Sequence, residues 1–317
     1  MKKFFSVLFC LLFATTCTFA QRKAGLTGRY IPSDGYTLVF CGQNNTDSEE
    51  FVKINEKTPA GFMIYTSLQN LEALDEDVEY GTGKMSGSFI LKKYKKAALQ
   101  IGLFLVGSLD SVIDGSLDDN IKKLGEWITK ANVPVFLRIG YEFDLPENNY
   151  DPELYKQAFK YIVEKFDEQK VKNVSYVWHS YTTYNTRNIE QWYPGDEYVD
   201  WCAISYFANP QWFPMVQFAK SHKKPLMIAE CSPTLGTEAS ETDKITWYRI
   251  LFKFIESKDV KALCYINGNW DEQPMFEQYA WGNGKLDVSE NIKNYWLNKI
   301  SNERFINLDK LYKEIKK

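Results

Sequence analysis

The chain has 317 residues, 44% of them hydrophobic, and a formal net charge of −3. That length and apolar content suffice for one large buried core, and the slightly acidic balance gives nucleic acid no basic surface to bind. Aromatic residues make up 16%, with 20 Tyr and 9 Trp, more flat apolar surface than a core alone needs and of a kind a sugar-binding cleft uses.

Lys2 and Lys3 precede an apolar run over residues 4–13, followed by small and polar residues up to Ala20. This is the layout of a secretory signal peptide. The run is too short and wrongly flanked for a membrane-spanning helix. Cleavage after Ala20 is expected, leaving residues 21–317 as one domain, secreted or periplasmic. Lipidation at Cys17 is disfavoured, because Ala14-Thr15-Thr16 lacks the usual branched apolar residue. No later segment is apolar for long enough to span a bilayer.

Eight short apolar runs follow. They are "YTLVFCG" (36–42), "AGFMIYT" (60–66), "ALQIGLFLV" (98–106), "VPVFLRI" (133–139), "VSYVWHS" (174–180), "VDWCAISYF" (199–207), "KPLMIAE" (224–230) and "ALCYING" (262–268). Near-continuous apolar strands bounded by turn residues fit a parallel sheet buried on both faces. Helical patterns separate them. "SLDDNIKKLGEWITKANV" repeats Leu117, Ile121, Leu124, Trp127 and Ile128 at helical spacing. "DPELYKQAFKYIVEKFDEQ" opens with Asp151 as cap and Pro152 in the first turn. "TDKITWYRILFKFIES" lies between strands seven and eight. This alternation predicts an α/β fold, a single-domain (β/α)8 TIM barrel. A doubly wound open sheet is disfavoured, because strand one runs into "CGQNNTD" with no G-x-G-x-x-G.

Cys41, Cys202, Cys231 and Cys264 each sit in or just after an apolar run, as small core residues do. No C-x-x-C spacing marks a zinc site, and a disulfide is permitted but not demanded. With only His179 and His222, no histidine metal cluster can be assembled. No cofactor is implied.

Barrel active sites lie at the C-terminal ends of the strands. Strand one delivers Gln43-Asn44-Asn45 there; strand four Arg138, Tyr141, Glu142 and Asp144; strand five Trp178-His179-Ser180. Strand six delivers Ser205-Tyr206-Phe207, strand seven Glu230, and strand eight Asn267-Gly268-Asn269-Trp270. Strands four and seven of a closed barrel face each other, so Glu142 and Glu230 become a carboxyl pair across its mouth. Such a pair is the apparatus of glycoside hydrolysis, one acid protonated and one carboxylate ionised. Tyr141 and neighbouring aromatics are expected to desolvate Glu142, Tyr206 to hydrogen-bond Glu230, and Arg138 to organise both. Asn267, Trp178 and Trp270 join the list of substrate contacts. For Trp178, Trp212, Trp270 and Trp281, sugar platform and core packing remain open alternatives. His179 contacts substrate or is a satisfied buried side chain. Asp144 and Glu147 read as loop charges.

At these residues the chain resembles glycoside hydrolase family 26, the β-mannanases and relatives, within the retaining (β/α)8 clan. "PVFLRIGYEF" is similar to the family's strand-four motif, in which an arginine precedes the acid/base glutamate by four positions; the resemblance implies those roles for Arg138 and Glu142. "WYPGDEYVDWCAISYF" (192–207) resembles the segment through strand six, with Tyr206 near the family's catalytic-cleft tyrosine. "KPLMIAECSP" resembles the strand carrying the nucleophile, here Glu230. The family commonly places His before the acid/base glutamate and a Gly- and Trp-rich loop after it; this chain has Tyr141 and "DLPENNYDP". The expected activity is retaining hydrolysis of β-glycosidic bonds in a polysaccharide or oligosaccharide, with mannan not specified and a carboxyl separation of roughly 5–5.5 Å. The alternatives are a catalytically inactive carbohydrate-binding barrel and, more remotely, a metal-dependent hydrolase.

Overall fold

A computed structural model describes residues 25–182, 188–208 and 210–315; the expected signal peptide, residues 1–20, lies outside the described residues. The eight expected strands form: β1 Thr37–Gly42, β2 Gly61–Ser67, β3 Ala98–Phe104, β4 Val135–Ile139, β5 Val174–Ser180, β6 Trp201–Tyr206, β7 Leu226–Cys231 and β8 Ala262–Ile266. Each pairs in parallel with the next, and β1 pairs with β8 from Leu38↔Ala262 to Gly42↔Ile266. The sheet is thus a closed (β/α)8 barrel.

The helices, in chain order, are α1 Asn45–Asn55, α2 Gly87–Lys93, α3 Leu109–Ile113, α4 Asp118–Ala131, α5 Pro152–Glu168, α6 Phe213–Ser221, α7 Glu241–Lys258, α8 Glu290–Ile300 and α9 Leu308–Glu314. Their starts follow from capping chemistry. Asp151 accepts from the Glu153 and Leu154 amides ahead of Pro152, and Ser240 and Asp243 form a capping box at α7. In α4 the apolar stripe buries Ile121, Leu124 and Ile128. Asn132 ends the helix in the left-handed region, at φ 51°.

Strand alternation divides the core in two. Phe40, Met63, Ala98, Phe136, Val177, Trp201, Ala203, Met227 and Cys264 fill the barrel interior. Val39, Ile64, Leu99, Leu137, Trp178, Ile204 and Ile228 pack outward, in the same core layer as Leu124, Phe159 and Leu251 of the helices. Cys41, Cys202, Cys231 and Cys264 are buried and free. At the foot, Tyr30 and Ile31 join Leu311 and Ile315 in sealing the interior, and Pro32 bridges Ile315. Among the described residues no helix is long and apolar enough to cross a membrane.

Candidate active site

Strand β4 carries Phe136 and Arg138 inward while Val135, Leu137 and Ile139 point outward. The chain then turns sharply. Gly140 takes φ +54°, and a Cβ there would lie 2.8 Å from the Tyr155 ring, so only glycine fits. Glu142 also sits in the left-handed region, at φ 53°, a conformation that costs a non-glycine residue about 1–2 kcal/mol. The turn is braced where that cost falls. Asn148 Nδ2 donates to the Tyr141 and Glu142 carbonyls at 3.2 and 2.9 Å, and the Leu145 and Phe143 amides bond the Glu142 and His179 carbonyls.

Glu230 reaches the same mouth through an irregularity. Across β6–β7 the register runs Ile204↔Ile228 and then Ser205↔Glu230, so Ala229 is an extra residue. Across β7–β8 it slips as well, from Leu263↔Ile228 to Tyr265↔Cys231. This β-bulge lets both Ala229 and Glu230 face inward, and bulges re-aim side chains next to active sites.

A continuous hydrogen-bonded chain joins the two glutamates. Arg138, fully buried, donates through Nη1 to Glu230 Oε1 in a close ion pair and approaches His179 Nδ1 at 3.3 Å. A guanidinium has only donors, so Nδ1 must accept and the ring proton lies on Nε2. Nε2 stands 3.1 Å from Ser205 Oγ, and the Ser205 hydroxyl donates to Glu142 Oε1. Tyr65 OH donates to Glu230 Oε1 at 2.8 Å. The rings of Tyr65 and Tyr141 each lie 5.1 Å from the Arg138 guanidinium carbon, in cation–π range. Gly102 on β3 makes this packing possible, since a Cβ would come within 2.5 Å of the Tyr65 ring and 2.8 Å of Arg138.

These surroundings shift the titrations of Glu142, His179 and Tyr65. Burial, and then the Glu230 charge, push the Glu142 carboxyl well above the ordinary carboxylate range, against the pull of Ser205 and Arg138. Burial and the Arg138 charge hold His179 well below its usual value, so it is a neutral link. Burial likewise raises the Tyr65 phenol, which stays a donor.

Above the pair opens a cavity of about 870 Å³. Gln43, Tyr65, Tyr141, Glu142, Ser205, Phe207, Glu230 and Trp270 line its inner part, and Phe276, Tyr279 and Trp281 one rim. Tyr279 stacks on Trp281 at 4.9 Å and 17°.

Of the residues expected from the sequence, Arg138, Tyr141, Glu142, His179, Glu230 and Trp270 come together here. His179 is the satisfied buried side chain. Trp270 donates to Ser232 Oγ and backs the cavity. Four expectations are corrected. Trp178 is fully buried on the outer face, stacked on Phe143 at 4.5 Å, because the period of two that sends His179 inward sends its neighbour out. Tyr206 faces outward for the same reason and packs on Trp247 and Phe254; the tyrosine that bonds Glu230 is Tyr65. Asn267 is fully buried and its Oδ1 accepts from the Leu286 amide, tying down the strand exit. Trp212 packs on Phe254, whereas Trp281 lines the cavity. Asp144 is no loop charge, because it is buried and accepts from Ser180 Oγ and the Tyr181 amide. Tyr65 and Ser205, which sequence reasoning did not single out, face inward two residues beyond the inward-facing Met63 and Ala203.

A closed (β/α)8 barrel with a carboxyl pair in an aromatic cleft is the architecture of a glycoside hydrolase. Residues 104–237 match the model for glycosyl hydrolase family 26. A β-1,3-xylanase from Alcaligenes sp. is 32% identical over 92% of this chain and 68% of its own length. Another from Vibrio sp. is 32% identical over 95% and 73%. Among solved structures, a GH26 β-mannanase from Bacteroides ovatus superposes with a TM-score of 0.64 at 12% identity, covering 87% of this chain and 91% of that one. An endo-β-1,4-mannanase from Cellulomonas fimi gives 0.63 at 14%, covering 87% and 73%. The chain belongs to glycosyl hydrolase family 26, and is a glycosidase acting on polysaccharides.

Proposed function

We propose that this protein is a secreted, retaining β-1,3-xylanase. The observation that carries the substrate is the 32% identity to two β-1,3-xylanases along nearly the whole chain; the mannanase likenesses, at 12% and 14%, bear on the fold alone. Tyr141, where the family's mannanase-like motif commonly has His, agrees with a substrate other than mannan. The mechanism rests on the two environments described. Glu142, with its raised pKa, holds the proton for the leaving oxygen, and Glu230, aimed by Arg138 and Tyr65, attacks the anomeric carbon. Glu142 then takes a proton from the water that releases the sugar. The aromatic rim at Phe276, Tyr279 and Trp281 supplies flat surface for successive xylose rings. Secretion is supported by the Lys-apolar-Ala20 leader.

The test is a panel of β-1,3-xylan, β-1,4-xylan and β-1,4-mannan with wild type and Glu230→Ala, reading reducing ends and, by NMR, the first anomer formed. The expected result is cleavage of β-1,3-xylan with a β-anomeric first product and no cleavage by the variant. Preference for mannan would overturn the substrate. An α-anomeric first product would overturn retention. Wild-type turnover by Glu230→Ala would remove its assignment as nucleophile, and glycan binding with no cleavage of any of the three would favour an inactive binding barrel.

A further inference from the structure

We infer that Gln100 is a positioning residue for the nucleophile, acting across the barrel through the carbonyl of Ala229; the inference rests on the reading of Glu230 as nucleophile. Gln100 lies on β3, fully buried, in register with Met63 on one side and Phe136 on the other. Its surroundings in the interior are thus chiefly apolar. Its Nε2 reaches across to the Ala229 carbonyl at 2.8 Å, and Ala229 is the extra residue of the bulge that brings Glu230 inward.

The cross-barrel bond therefore grips the one irregular point in β7, directly before the reacting side chain. Arg138 and Tyr65 hold the carboxylate from its outer end; Gln100 holds the backbone it hangs from. Among the described residues the Ala229 carbonyl is the one hydrogen-bond partner of the amide, whose Oε1 makes no bond. A methionine at this position would fill the same space but leave that carbonyl without its cross-barrel donor.

The test uses Gln100→Met, with Gln100→Leu as second variant, and three readouts: Tm, KM and kcat on β-1,3-xylan, and covalent trapping by 2,4-dinitrophenyl 2-deoxy-2-fluoro-β-1,3-xylobioside. In that probe the Glu230 oxygen bonds the anomeric carbon as dinitrophenolate leaves with the bonding pair. No proton donor is needed, so the trapping rate reports the nucleophile alone. The expected result is a Tm lowered by no more than a few degrees, KM within about two-fold, and kcat and trapping slowed about 10- to 100-fold, the scale of a misplaced reacting group. Unchanged trapping would overturn the inference. So would an equal slowing of trapping in Leu124→Ala, which destabilises the outer core alone, or failure of both Gln100 variants to fold, since either marks an ordinary structural bond. If the wild type itself is not trapped at Glu230, the fault lies in the nucleophile assignment and not in Gln100.

Discussion

Glu142 is a residue held against its own preferences, in backbone and in charge. Its folded pKa lies well above the ordinary carboxylate value, so the folded state keeps a proton that the unfolded state releases, and stability falls as pH rises from about 4 towards the folded value. A side-chain amide in its place cannot ionise. Glu142→Gln is therefore expected to match wild type in Tm near pH 4 and to exceed it at pH 7, measured by thermal melts across pH. Ser205 works in the opposite sense, because its hydroxyl favours the ionised form. Ser205→Ala is expected to move the alkaline limb of the kcat/KM profile to higher pH, since Glu142 would keep its proton longer. An alkaline limb that stays in place would mean that Ser205 does not govern the acid. Tyr65→Phe removes the bond to Glu230 and is expected to lower kcat by about 10-fold or more, the scale of a hydrogen bond to a charged group.

Among elements, the strands were the part most legible in the sequence, because burial on both faces writes itself as unbroken apolar runs. All eight were placed, and with them the mouth where Arg138, Glu142 and Glu230 meet. What the runs conceal is facing. A strand buried on both sides gives no alternation of polar and apolar residues, so Trp178 and Tyr206 read as cleft residues when each stands one step from the residue that faces inward. The bulge at Ala229 was equally silent, since an extra residue in an apolar run leaves the pattern unchanged. Of the rim aromatics at 276–281, only Tyr279 lies in a short 3-10 turn, Glu277–Tyr279, with Phe276 just before it and Trp281 just after, and no period reveals them. The helices hold the strands in place by ordinary burial. Leu124→Ala in α4 is expected to cost about 2–5 kcal/mol in urea melts while leaving KM unchanged, because Leu124 packs among the outward-facing side chains and is not part of the cavity lining.

For the molecule as a whole, the mouth carries the chemistry and the foot is closed by segments from both ends of the described chain, Tyr30 and Ile31 against Leu311 and Ile315, with Asp200 binding the Arg29 amide. Stability and reaction are thus located at opposite poles of one barrel, as the fold generally arranges them. That polarity gives the protein a natural handle. An enzyme anchored to a bead through a linker beside the foot would stand with its cleft turned outward, able to work along the face of an insoluble polymer. One anchored through exposed Tyr279 would lie mouth-down, its approach to any solid blocked.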